Sequence, residues 1–81
     1  MIEYRGPYAK IDLHGMTESE ARVYLDQMLT SLPKSIVEVT ISHGYRLGAV
    51  LQNFVRKKYQ HKKISKKMIS TNPGETILQI K

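Results

Sequence analysis

Between Tyr8 and Glu20 the chain changes its period, and that change constrains the fold more than any other feature. Ile11 and Leu13 alternate with Asp12 and His14, the period-2 pattern of a strand with one buried face. Gly15 and Met16 turn the chain. Thr17-Glu18-Ser19-Glu20 then has the form of a capping box, with Thr17 as N-cap and Glu20 reaching back from three residues on. Glu18 and Glu20 also suit the positive end of a helix dipole. A strand that feeds directly into a helix is the first half of a βαβ unit, whose next strand runs parallel to the first. The alternation also sets Asp12 and His14 together on the polar face, about 6–7 Å apart along the strand. They stand at the carboxyl edge, where open α/β sheets bind ligands.

The rest of the chain extends this unit. Ala21, Leu25, Met28, Leu29 and Leu32 form one helical stripe, and Pro33 ends it. Ile36 to Ser42 is β-branched and reads as a central strand, with Val37, Val39 and Ile41 turned to the core. His43-Gly44-Tyr45-Arg46-Leu47-Gly48 breaks the pattern. A second helix follows, with Leu47, Val50, Leu51, Phe54, Val55 and Tyr59 on one face and Gln52, Asn53, Arg56 and Lys57 on the other. Ile64 to Ser70 reads as a third strand. Thr71-Asn72-Pro73-Gly74-Glu75 reads as a turn, and Thr76 to Ile80 as an antiparallel last strand. Residues 1–7, which contain Gly6-Pro7, read as a short irregular arm, and residues 8–81 as a single domain. The order βαβαββ predicts a two-layer α/β sandwich: one four-stranded mixed sheet with two helices on one face.

With 81 residues the core is thin. There are no cysteines, so disulfides and cysteine-based zinc sites are excluded; a reducing, cytoplasmic setting is the expectation. No apolar run is long enough to span a membrane, and the first residues lack the apolar core of a signal peptide. The net charge is +6, unevenly divided: residues 1–45 carry four basic and six acidic groups, whereas residues 46–81 carry nine basic groups and the single acid Glu75. Such asymmetry points to a polyanionic partner, nucleic acid ahead of an anionic membrane surface. The sequence leaves the oligomeric state open.

If the first two strands are parallel neighbours, His14 and His43 end at the same edge of the sheet, with Asp12 beside them. The loop Gly44–Gly48 and the helix after it would make a phosphate cradle. Arg46 is a charge-assisted donor for phosphate in that cradle, and Tyr45 a ring on which a base can stack. This is a toolkit for phosphodiester cleavage. A histidine transfers a proton at neutral pH, an aspartate orients it, and Arg46 with backbone N–H groups holds the charge on phosphorus. RNA would supply its own 2′-hydroxyl nucleophile. DNA would need an activated water, which leaves a divalent metal open as a cofactor. Asp12, His14 and His43 are thus the candidate catalytic residues. No fourth ligand accompanies them, so a metal site ranks below the metal-free reading. Arg56, Lys57, Lys62 and Lys63 are candidate nucleic-acid contacts by their shared location, although a solvated lysine is the blander reading of each. His61 reads as a solvated bystander among lysines. Asp12 reads equally well as an acceptor for the turn that follows it.

These segments resemble the Smr (small MutS-related) domain family. Ile11-Asp12-Leu13-His14-Gly15 with Thr17, Glu20-Ala21 and Leu25 is similar to its leading motif. Ile41-Ser42-His43-Gly44 with Gly48-Ala49 and Leu51 is similar to its second, H-G-x-G-x-G. Gly74-Glu75-Thr76-Ile77-Leu78 resembles its closing element. The resemblance implies a fold like the C-terminal domain of translation initiation factor three. It further implies a stand-alone endonuclease domain that nicks DNA in some relatives and cleaves messenger RNA at collided ribosomes in others, so RNA or DNA, and the ribosome, are the implied partners. The family's implicated residues carry over to Asp12, His14, Gly15, His43, Gly44 and Gly48. The second motif departs from the family at Arg46, where the middle glycine stands; an arginine resists positive φ at a cost of roughly 1 kcal/mol.

Three functions follow from these readings. An endonuclease with RNA favoured comes first. A non-catalytic nucleic-acid or ribosome-binding module, using the basic second half, comes next. A small-molecule phosphoesterase comes last, because so small a sheet encloses little pocket.

Overall fold

The computed structural model describes residues 2–45 and 49–81. The chain forms β1 (Ile2–Arg5), β2 (Tyr8–Asp12), α1 (Glu18–Thr30), β3 (Glu38–Ser42), α2 (Val50–Asn53) running on as a π-helical turn (Phe54–Lys58), β4 (Ile64–Ile69) and β5 (Glu75–Ile80). The sheet has five strands in the order β1-β2-β3-β5-β4. β2 and β3 are parallel, with Asp12 opposite Ser42, while β3–β5, β4–β5 and β1–β2 are antiparallel.

The fifth strand corrects the sequence reading, which took residues 1–7 as irregular and counted four. Ile2-Glu3-Tyr4-Arg5 pairs with Tyr8–Ile11 across the two-residue loop Gly6-Pro7. Gly6 has φ +56°, the positive value that a two-residue hairpin loop requires at its first position. The alternation of Ile2 and Tyr4 with Glu3 and Arg5 carried the signal.

One face of the sheet is covered. Ala9, Ile11, Val39, Ile41 and Leu78 meet Ala21, Leu25 and Leu29 of α1 and Phe54 and Val55 of the second helical segment in one buried cluster. The α1 stripe is as the spacing predicts: Ala21, Leu25, Leu29 and Leu32 are buried and Met28 packs against them. The capping box is formed, with Glu20 N–H on Thr17 Oγ1 at 3.1 Å and Thr17 N–H on Glu20 Oε1 at 2.9 Å. Truncating Leu25 in such a core costs about 2–5 kcal/mol.

Two core assignments change. Val37 is exposed and Ile36 is buried, because β3 starts only at Glu38 and the preceding residues follow the turn after Pro33 rather than the strand alternation. Val50 is likewise exposed, at 56%. The helix it starts widens to i→i+5 bonding, with Tyr59 N–H on the Phe54 carbonyl at 2.8 Å, so that Phe54, Val55 and Tyr59 take the core positions. Tyr59 donates its hydroxyl to Asp26 at 2.7 Å, pinning this segment to α1. Burial and that bond push its phenol well above the ordinary tyrosine range. Arg22 of α1 lies over the Phe54 ring, 5.0 Å from its centre.

Candidate functional site

The two parallel strands β2 and β3 end side by side, and each is followed by a turn that needs a glycine. Gly15 has φ +83° and Gly44 φ +71°, values that a side chain resists. Between the turns and α2 lies a groove of about 620 Å³, lined by His14, Gly15, His43, Gly44, Tyr45 and Asn72 among others. Residues from both sequence motifs therefore share one mouth, which is the arrangement that parallel pairing predicts. Arg46 and Gly48, the other two candidates from this loop, lie outside the described residues, as does Leu47.

The candidates differ in what they are free to do. His14 is exposed and lines the groove. Asp12 is exposed but outside the lining, since it follows buried Ile11 on a strand and turns to the opposite face. Its Oδ1 accepts the backbone N–H of His14 at 2.8 Å. This Asx turn ends the strand at Asp12, so the carboxylate holds the His14 backbone rather than its ring.

His43 is only 5% exposed. Its Nδ1 lies 2.7 Å from the Gly44 carbonyl and its Nε2 2.8 Å from Thr76 Oγ1. A carbonyl only accepts, so Nδ1 carries the proton. Arg56 Nε–H donates to the same Thr76 oxygen at 2.8 Å, and its Nη2–H donates to the Glu75 carbonyl at 2.9 Å. The bonds then run one way: Arg56 to Thr76, the Thr76 hydroxyl to His43 Nε2, and His43 Nδ1–H to Gly44. Burial lowers the His43 pKa below 6.5. The Gly44 bond opposes that shift, Arg56 reinforces it and Glu75 opposes it again. In its resting state this ring is a neutral strut that ties the β3 loop to β5.

Gly74 completes the tie. Its carbonyl accepts from both His43 N–H (2.9 Å) and Gly44 N–H (3.0 Å). A Cβ at Gly74 would sit 3.5 Å from Gly44 Cα and 3.3 Å from Asn72 Oδ1, so the close approach of the two loops suits glycine. Thr76, Asn72 and Gly74 were not among the sequence-derived candidates. The closing element of the family resemblance contained Gly74 and Thr76 but gave them no role, because that role depends on their contacts with His43 and Gly44, some thirty positions away along the chain.

The basic residues do not form one patch. A second groove of about 780 Å³ adjoins the first across Glu18, Ala49 and Val50, and it is lined by Arg56, Lys57, Lys58 and Lys67. Lys67 is half-buried and donates to the Tyr59 carbonyl, and burial lowers its pKa. Lys63 donates to the Thr30 carbonyl at 2.9 Å, at the last turn of α1. That places Lys62 and Lys63 near the opposite end of the sheet, about 20 Å of helix away from Glu18. His61, which the sequence places as a solvated bystander, accepts Lys63 N–H on Nδ1 at 3.1 Å, and its Nε2 faces Thr30 Oγ1 at 3.4 Å. Among the described residues no three His, Asp or Glu side chains are grouped to hold a metal ion, and no helix is long and apolar enough to cross a membrane.

In a comparison with known protein families, the model of the Smr domain matches residues 11–76. That span runs from the strand before His14 to Thr76, the hydroxyl that meets His43. No curated protein and no solved structure matches the chain.

Proposed function

The chain belongs to the Smr domain family, and from that premise we propose that it is an endonuclease domain that cleaves RNA in preference to DNA. At the level of the family it is a nucleic-acid-related, nuclease-type domain. The observation that supports the finer reading is the groove at the ends of β2 and β3, which gathers His14, Gly15, His43, Gly44 and Tyr45 at one opening.

In this reading His14 is the proton-transfer group, being the exposed imidazole of the groove. It takes the proton of the 2′-hydroxyl as that oxygen attacks phosphorus. The bond from phosphorus to the 5′-oxygen breaks, the leaving oxygen takes a proton from water, and a 2′,3′-cyclic phosphate remains. Asp12 acts one step back, fixing the backbone turn that aims His14. His43 holds the shape of the Gly44 loop. Tyr45, 52% exposed at the groove, offers a face for a base. Arg46 and Gly48 belong to the proposal as phosphate contacts from the sequence motif alone. Messenger RNA, at the ribosome as in some relatives, is the substrate setting the family suggests.

The test is incubation of the purified chain with end-labelled single-stranded RNA, single-stranded DNA and supercoiled plasmid. RNA cleavage is expected, with a loss of about 10²-fold or more in His14→Ala. Equal cleavage by wild type and by the Asp12→Ala/His14→Ala double variant would mean a contaminating nuclease and end the proposal.

One observation favours a second reading. Both ring nitrogens of His43 are engaged, leaving the groove a single free imidazole. That suits a module that binds nucleic acid without cutting it. Tight, salt-dependent binding without turnover, with or without added divalent metal, would establish this reading instead.

A further inference from the structure

The two grooves meet on a ridge, and the ridge is where the chemistry of a bound strand can be read. Glu18, Ala49 and Val50 line both of them. On one side stand His14, Gly44 and Tyr45; on the other stand Arg56, Lys57, Lys58 and Lys67. We propose that the substrate is an unpaired nucleic-acid strand that passes from the His14 groove over this ridge into the lysine groove, and that Glu18 on the crest is the residue that tunes its affinity. This rests on the nucleic-acid reading above, but not on cleavage.

Three features carry the path. The first is charge. Among the described residues the second groove holds four cations and one carboxylate, Glu18, which is spent on Lys58 at 3.6 Å. Lys57 and Lys67 form no ion pair there, and Lys67 sits half-buried with its amine drawn from water. Cations on a low-dielectric wall focus potential into the groove. The second is the apolar surface between the cations. Val50 is 56% and Ile69 76% exposed, and Tyr45 lies exposed across the ridge. A duplex hides its base faces within the stack and shows phosphates. An unpaired strand shows both, and only such a strand gains from apolar contacts alternating with amines. The third is position. Lys62 and Lys63, for all their charge, lie near the other end of α1 and outside both linings. The path therefore separates groove lysines from the remaining ones, which net charge alone does not.

Affinity for a 12-nucleotide single-stranded RNA, measured by fluorescence anisotropy on folded variants, tests the path. Lys57→Gln and Lys67→Met are each expected to weaken binding roughly fivefold and to lower the salt slope by about 0.7, whereas Lys62→Gln changes affinity less than twofold. Lys57 is exposed, so its variant remains informative if Lys67→Met folds poorly. Glu18→Gln frees Lys58 and removes a carboxylate from the crest, and affinity should rise about threefold; Glu3→Gln, an equal charge change on β1, should leave it unchanged. The duplex of the same RNA should bind more weakly than the single strand. Equal effects at Lys57, Lys67 and Lys62, or at Glu18 and Glu3, overturn the path, and duplex binding as tight as single-strand binding overturns the unpaired substrate. Failure of the cleavage assay with these binding differences intact would strike the endonuclease reading and spare this one. Cleavage lost in His14→Ala, with charge changes that do not depend on position, would do the reverse.

Discussion

His43 shows how a residue chosen for its chemistry can be committed to architecture. Its neutral form accepts from Thr76 and donates to Gly44. Protonation would set a second donor against the Thr76 oxygen that already takes Arg56. Burial therefore holds its pKa below 6.5, with Gly44 opposing, Arg56 reinforcing and Glu75 opposing. The unfolded chain binds a proton at 6.5, and the folded chain binds it only at lower pH. The stability due to the neutral ring is thus complete above pH 6.5 and declines as pH falls from there through the native value. Denaturant titrations between pH 8 and 5 should show this decline in wild type and a smaller one in His43→Gln. Thr76→Val tests the same chain of bonds at constant shape. It strands Arg56 Nε–H and His43 Nε2, and should cost about 1–3 kcal/mol by the same titration, with His14 untouched. Local spacing announced both histidines and their shared edge. It did not announce that one is exposed and the other sealed, because the seal is Thr76, thirty-three residues away. Asp12 was legible as an acceptor for the turn that follows it, and its Oδ1 takes the His14 N–H.

At the scale of elements, the helices and parallel strands were legible because each carries its own local signal: the Thr17 capping box, the Ala21–Leu32 stripe and the β-branched run into Ser42. What escaped was β1, disguised by Gly6-Pro7, and the widening of the second helix at Phe54–Lys58, which no side-chain period encodes. The turn into that helix offers a paired test of backbone strain. Ala49 sits at φ 58°, where a Cβ is unwelcome, whereas Gly44 sits at φ +71° with open space around its missing side chain. The same physics gives opposite signs. Ala49→Gly should stabilise the fold by up to about 1 kcal/mol, and Gly44→Ala should destabilise it by about 1–2 kcal/mol, through strain alone. Thermal unfolding of the two variants checks both. A stabilising Gly44→Ala would mean that the loop leaves its positive φ at little cost, and the rigid groove with it.

Across the whole molecule, a sequence with nine basic residues after Tyr45 looks like one cationic half, yet the fold splits it. Lys57, Lys58, Lys67 and Arg56 gather beside the His14 groove, while Lys63 and its neighbour Lys62 are carried to the far end of α1 by the lysine's bond to Thr30. The split has a measurable consequence. Each phosphate neutralised on a single strand contributes about −0.7 to the slope of log K against log salt. Contact through all nine basic groups would give a slope of about −6, and contact through the four groove cations about −3. Binding isotherms of single-stranded RNA from 50 to 300 mM salt should therefore settle near the smaller value. Lys62→Gln should leave that slope in place, and Lys57→Gln should reduce it. A slope near −6 would mean that the nucleic acid wraps the molecule from end to end, in which case the basic half acts as one surface. A slope near zero would remove electrostatics from the account and leave His14 without the polyanion proposed for its groove.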